Sequence, residues 1–312
     1  MPNGNTGSVS GAALFIHALT PLHAGSGANP GVIDLPIQRE RHTRWPSIPA
    51  SALKGVVRDY CRQLVRSGGS SKEADSNGEL VQVFGRSLKG DGEEKGGTLS
   101  FTDARILAMP VRSMFGVYAL VTCPAILQRL SRDLGLIGLA LGPENARGAR
   151  AGTALVAADS VLKNNQNSIV LEEYPFQADT SGDALFKSIA ALIRADEDTR
   201  KRIAILGDDE FTYFAENATE VQMRIALDYD TKTVRDGALF SQEFLPAETL
   251  MYTLALKSAS RGQNGAGEAA MASFRNWIEK DSGTVLQIGG DETTGKGFCR
   301  VRMQTAETKG DE

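Results

Sequence analysis

The chain has 312 residues, of which 41% are hydrophobic and 23% charged, and its formal net charge is −4. That length can bury one large core or two modest ones, and 33 glycines with only 6% aromatics point to many loops around it. Net acidity excludes a protein that is basic throughout, so any contact with nucleic acid has to come from a local patch.

In chain order, residues 1–11 lack a basic start, and the apolar run after them is short and interrupted by His17. Neither a signal peptide nor a membrane span is expected. Residues 11–19 read as a buried strand with His17 in the core. From about Pro21 to Ala50 no period holds: Pro21, Pro30, Pro36, Pro46 and Pro49 break the chain, while Val32, Ile33, Leu35, Ile37, Trp45 and Ile48 anchor it. A long irregular stretch that keeps apolar anchors is expected to be functional. The clearest helix runs from Ser51 to about Arg66, with Ser51 as N-cap and Gly68 as stop. Leu53, Val56, Val57, Tyr60, Cys61, Leu64 and Val65 form its apolar face.

Residues 67–97 are rich in glycine, serine and charge and read as a mobile insertion around a short helical piece near Leu80–Phe84. Strands are expected at 99–106 and 115–122, then mixed helix and loop over 125–220. A hairpin follows, with arms near 220–228 and 234–241 and a polar tip at Tyr229–Lys232. A strand at 249–257 precedes a helix at 268–280 that keeps Ala270, Met271, Phe274, Trp277 and Ile278 on one face. Two last strands, 284–289 and 298–303, flank a glycine-rich turn. The fold class is α+β with a largely antiparallel sheet, and a ferredoxin-like (RRM-type) core suits it. Cys61, Cys123 and Cys299 share no metal-ligand spacing with His17, His23 and His42, so reduced thiols in a cytosolic protein are expected.

The chemistry gathers around the irregular stretch and the helix after it. Between Gln38 and Arg66 stand seven Lys or Arg, including Arg39, Arg41 and Arg44, against Glu40 and Asp59. Lys54, Arg58, Arg62 and Arg66 lie four apart on one face. Arg62 and Arg66 read as a solvated face. Lys54 opposes the helix dipole in the first turn, which makes sense if an anion such as phosphate docks there. Asp34, between Gly31 and Pro36, is held by rigid flanks; it could act as a general base or hold a metal ion, and an Asx-turn role is equally open. His23 could contact phosphate, although a bond to loop backbone is the commoner fate of such a histidine. Gly290–Lys296 matches the start of a P-loop, but Gly297 stands where Ser or Thr should be and a strand follows, so that reading fails. A glycine loop close to a polyanion, with Gly295 and Lys296 at its edge, and a plain hairpin turn both remain open.

The blocks ALTPLHAGSG, GVIDLPIQRERHTRWPSIPASALKGVVRD, FTDARILAMPVRSMFGVYALVTCP, GALFSQEFLPAETL and IGGDETTGKGF, in that order from residue 18 to 298, resemble the RAMP superfamily of CRISPR proteins. Within it the pattern is most like the multi-copy backbone subunit of the type III-B (Cmr) effector. The resemblance implies one RAMP domain over 1–312. Its RRM-like palm, carrying finger and thumb-like elements, would be drawn from about 11–66, 98–124, 220–260 and 266–305, with insertions at about 67–97 and 125–219, and the hairpin at 228–241 is assigned as a thumb-like or partner-facing element. It implies partners, namely guide RNA, target RNA, further copies of the chain and other Cmr subunits, and no membrane. A thumb hairpin would displace a base of the guide–target duplex, and the aspartate matching Asp34 would promote cleavage that depends on a divalent metal ion, Mg²⁺ by family habit. Which residues hold that metal is not implied. Ser51 and Lys54 fall on an S-x-L-K-G element that holds guide phosphates, with Ala50 replacing the usual glycine before it. His23, Arg39, Arg41, Arg58, Gly295 and Lys296 complete the expected RNA contacts. The alternative is a subunit of the same kind of complex that binds RNA without cutting it.

Overall fold

All but two residues of Gly11–Ala18 are buried, which requires neighbours on both edges and cover on both faces; this strand, β1, is accordingly central in its sheet. The computed structural model describes residues 10–28, 31–66, 70–86, 96–142, 150–258, 265–279 and 282–306. After β1 the chain runs irregularly to β2 (Ser47–Ile48), then enters α1 (Ala50–Val65), α2 (Ser71–Asp75) and α3 (Gly78–Phe84). Three strands follow: β3 (Leu99–Phe101), β4 (Ala104–Arg112) and β5 (Tyr118–Thr122). The middle of the chain holds α4 (Pro124–Leu136), β6 (Thr153–Val156), β7 (Ser168–Leu171), β8 (Tyr174–Asp179), α5 (Asp183–Ile193), α6 (Glu197–Arg200), β9 (Ile203–Ile205) and α7 (Asp208–Asn217). The last elements are β10 (Glu220–Leu227), β11 (Val234–Phe244), β12 (Leu250–Lys257), α8 (Ala266–Ile278), β13 (Thr284–Gln287) and β14 (Phe298–Thr305).

The large sheet runs β13-β14-β1-β12-β4-β5-β9-β6-β8-β7, with β2 beside β4 and β3 beside β12. Its pairings are antiparallel except β5–β9 and β6–β8. Within it β14-β1-β12-β4, with α1 after β1 and α8 after β12, is a split βαβ of the ferredoxin-like kind. Parity along β1 sorts the layers. Ala12 lies opposite Thr305, whose hydroxyl accepts from Arg275 of α8 at 2.7 Å; Phe15 lies opposite Tyr252, whose hydroxyl donates to Asp133 of α4 at 2.9 Å. α8 and α4 therefore cover opposite faces. β10 and β11 pair only with each other as strands, forming a ribbon apart from the large sheet.

Several expectations need correction. Pro49, not Ser51, occupies the cap of α1, and Ser51 lies in the first turn; the Ala50 N–H donates instead to Asp103 Oδ1, 2.7 Å away in the turn after β3. Leu53, Val57 and Cys61 are buried as expected, but Leu64 is 47% exposed, because the helix rotates it past the edge of the core. Gly68 lies outside the described residues. So does much of 67–97, yet α3 within it buries Leu80, Val83 and Phe84, and Phe84 packs against Phe101, Phe274 and Trp277. That piece is core. The expected strand at 99–106 is two strands parted at Thr102–Asp103, the second running on to Arg112. The stretch 125–219 adds four short strands to the sheet. His17 is not core: its Nε2 meets Glu248 at 2.7 Å on a half-open face. All three cysteines are free and buried, and burial pushes the thiols of Cys61 and Cys299 up to about 12. They stay thiols at neutral pH.

Candidate functional site

The stretch from Pro21 to Trp45 folds back on itself at the root of β11. One leg is tied by Leu22, whose N–H donates to the Leu245 carbonyl at 2.9 Å and whose carbonyl accepts from the Leu245 N–H at 2.8 Å. The legs join where the Gln38 N–H meets the Ala24 carbonyl (2.7 Å) and the Ser26 N–H meets the Pro36 carbonyl (3.0 Å). The second leg then pairs with β11: the Leu35 N–H donates to the Ser241 carbonyl and the Glu243 N–H to the Leu35 carbonyl, each at 3.0 Å.

One buried carboxylate organises this root. Glu243 is 2% exposed, and such a charge is tolerated only when paired and hydrogen-bonded. Its Oε1 accepts from Arg39 Nη2 (2.5 Å) and the Thr219 hydroxyl (2.9 Å), and its Oε2 accepts from the Ile37 N–H (3.0 Å). Arg39 also donates to the carbonyls of Arg44 and Ala215. Glu40 does similar work nearby: it accepts from Arg129 at 2.5 Å, and Arg129 lies over the ring of Trp45.

Asp34 stands on this frame, exposed. Its Oδ2 accepts from the Ser241 N–H at 2.7 Å and from the Ser241 hydroxyl at 2.8 Å, and the Asp34 N–H donates to the same Ser241 Oγ at 3.0 Å. Those two donors hold its carboxyl below the ordinary value of 3.8, so it is ionised at neutral pH. No hydrogen bond from the described residues goes to Oδ1, which leaves that oxygen open to a ligand. Among the described residues no group of three or more His, Cys, Asp or Glu gathers to hold a metal ion.

The glycine-rich loop before β14 packs onto the same root. The Gly290 N–H donates to the His23 carbonyl at 3.0 Å, and a Cβ on Gly289 (φ +87°) would come within 2.3 Å of that oxygen, so only glycine fits. Asp291 lashes the loop to the ribbon, accepting from Arg224 (3.0 Å) and from the side-chain amide of Gln242 (2.6 Å). Gly295 is exposed at φ +77° with open space around it, and Lys296 Nζ sits 5.1 Å from the centre of the Phe244 ring. Beyond the root the ribbon exposes Met223, Ile225 and Leu239 on the face that also carries Ser241.

The residues expected at the site divide. His23, Asp34, Gly295 and Lys296 come together around β11. His23, however, is buried with Nδ1 bonded to the Glu243 carbonyl at 2.7 Å, and Arg39 is spent on protein acceptors. Arg58, on α1, is taken up by Asp75 of α2 at 3.3 Å. These three brace the protein. Arg41 and Ser51 are exposed and Lys54 is partly so. Ser241, Glu243, Arg224 and Asp291 were missed; partners 49 to 207 residues away leave no local pattern.

Known proteins resemble the chain over nearly its whole length. The Cmr endoribonuclease Cmr4 of the Pyrococcus furiosus CRISPR system is 36% identical over 301 residues, covering 95% of this chain and 96% of that protein. The crystal structure of oligomeric Cmr4 from the same organism superposes with a TM-score of 0.72 at 31% identity, over 96% of this chain and all of that one. A cryo-EM structure of type III-B Cmr-beta bound to cognate target RNA, at 22% identity, shares the fold with a TM-score of 0.70 over 95% of this chain and 98% of that one. The profile of the RAMP superfamily matches residues 15–300, a span that includes the folded-back stretch, the ribbon and the glycine loop, and the chain belongs to that superfamily.

Proposed function

We propose that the chain is the backbone subunit of a type III-B CRISPR effector, that several copies line a guide RNA, and that Asp34 cuts the guide-paired target RNA at regular intervals. The relative at 36% identity bears the name of a Cmr endoribonuclease, and its structure is described as oligomeric. One observation carries the assignment to Asp34: an exposed, ionised carboxylate with one oxygen held and the other open, at the foot of a ribbon with an exposed apolar row. In this reading 1–312 is one RAMP domain whose palm is built on β1, β4, β12 and β14. No helix of the described residues is long and apolar enough to cross a membrane; we place the subunit in the cytoplasm, in antiviral defence.

The chemistry follows from geometry. Regular A-form RNA does not align a 2′-OH with the neighbouring P–O5′ bond, so a duplex has to be distorted before it is cut. The row Met223, Ile225 and Leu239 is an apolar wedge suited to that, as apolar side chains unstack bases elsewhere. Asp34 Oδ1 takes the 2′-OH proton, O2′ bonds to phosphorus, and the P–O5′ bond breaks with a proton from water. The products are a 2′,3′-cyclic phosphate and a 5′-OH. The described residues gather no metal-ligand group of their own, so a hydrated Mg²⁺ would be held chiefly by RNA phosphates; such an ion, when bound, would stabilise negative charge on the phosphate. Ser51, Lys54 and Arg41, with Gly295 and Lys296 at the glycine loop, are the candidates for holding RNA backbone.

Asp34→Asn in a complex reconstituted with guide and labelled target tests this. Asn keeps an acceptor for Ser241 while removing the base, so cutting should fall at least about 100-fold with assembly and RNA binding intact. Regular cutting by a normally assembled Asp34→Asn complex would leave the binding-only reading, which the loop-fastening bonds of Oδ2 favour.

A further inference from the structure

Asp34 is fastened to the ribbon through Ser241, a residue buried to 5% exposure. The Ser241 hydroxyl donates to Oδ2 and accepts from the Asp34 N–H, while the Ser241 N–H adds a second bond to Oδ2. The ring closed this way sets both the backbone and the side-chain torsions of Asp34. It also decides which carboxylate oxygen is free. Ser241 itself cannot drift, since the Leu35 N–H bonds its carbonyl and the Glu243 N–H bonds the Leu35 carbonyl, each at 3.0 Å.

The same residue faces the other way into the ribbon. Ser241 pairs with Met223, and the next pair outward on that face is Leu239 with Ile225, both exposed. Side chains two apart on a strand share a face, so the apolar row and the Asp34 tether form one continuous surface. A load on the row reaches Asp34 through a single intervening residue.

We infer that Ser241 is a positioning residue for Asp34: it fixes Oδ2 so that Oδ1 meets the reacting 2′-OH, and it makes the cutting rate follow how the ribbon seats on RNA. This rests on the Asp34 reading above. Its signature is a loss in rate without a loss in affinity, since Ser241 is too buried to grip RNA.

The test uses the reconstituted complex with guide RNA and complementary labelled target, comparing wild type, Ser241→Ala and Ser241→Thr. Ser241→Ala keeps the N–H bond and loses the hydroxyl. Single-turnover cutting should slow about tenfold, as when the group orienting a reactive ligand is removed, with target affinity unchanged. Ser241→Thr keeps a hydroxyl and should recover most of the rate. Combining Ser241→Ala with Met223→Ser should slow cutting by less than the product of the two single effects, because both act through one link. Wild-type cutting by the Ser241→Ala complex would overturn the inference, as would a loss of affinity equal to the loss of rate. If Asp34→Asn is inactive while Ser241→Ala is unimpaired, this inference alone fails; if Asp34→Asn still cuts, the reading beneath it fails.

Discussion

The root of β11 and the outer part of the same ribbon are built in opposite ways. At the root, Glu243 is 2% exposed and its carboxylate is satisfied by Arg39, Thr219 and Ile37, while the glycine loop is lashed on through Asp291. A few residues outward, Met223 and Leu239 are 62% and 59% exposed, and among the described residues no other strand joins the ribbon. A lone two-stranded ribbon is marginal by itself, and an exposed apolar row is a surface that awaits a partner. The contrast teaches a division of labour. In the proposed reading, rigidity is concentrated where a carboxylate has to be aimed, and open apolar surface where a duplex has to be deformed.

The contrast breaks most severely at Glu243. Glu243→Ala leaves Arg39, whose side chain is 11% exposed, as a buried cation without its partner; the expected loss is about 3–5 kcal/mol of stability. Denaturant unfolding of the chain measures it, and a midpoint equal to wild type would mean that the root is no more rigid than the ribbon. The outer ribbon should behave the other way. Met223→Ser with Ile225→Ser ought to shift stability by no more than about 0.5 kcal/mol, as surface substitutions do. Cutting of guide-paired target should nevertheless fall about tenfold as the wedge is lost. Equal melting and equal cutting would show that the row does not touch the duplex. The smallest effect is expected at Lys54, remote from both regions in sequence: Lys54→Ala should weaken RNA binding modestly and reduce the slope of log affinity against log salt by about one. An unchanged slope would remove Lys54 from the phosphate contacts.

Legibility in the sequence followed the range of the interaction. The helix face Leu53, Val57 and Cys61, the helix face Ala270, Met271 and Phe274, and the arms of the β10–β11 ribbon repeat within a turn or two, and local spacing reveals them. β6, β7 and β9 were not legible: with three or four residues each, they are strands only because distant segments pair with them. His17 misled for the same reason. Its apolar neighbours implied a core position, and Glu248, 231 residues away, gives it a hydrogen-bond partner at a half-open surface.

The candidate site shows the same divide. Asp34 stood out by its flanking Gly31 and Pro36 and by the family pattern around it, yet its residues left a base, a metal ligand and an Asx-turn equally open. What the structure adds is Ser241, 207 residues on, which fastens one oxygen of Asp34 to β11. The sequence by itself determined the α+β class and the main amphipathic helices, because covalent spacing alone sets the faces of helices and strands. Only the tertiary structure decided which cations pair with carboxylates, Arg39 with the buried Glu243 and Arg58 with the partly exposed Asp75, because charge pairing depends on distance in space and chain order does not encode it.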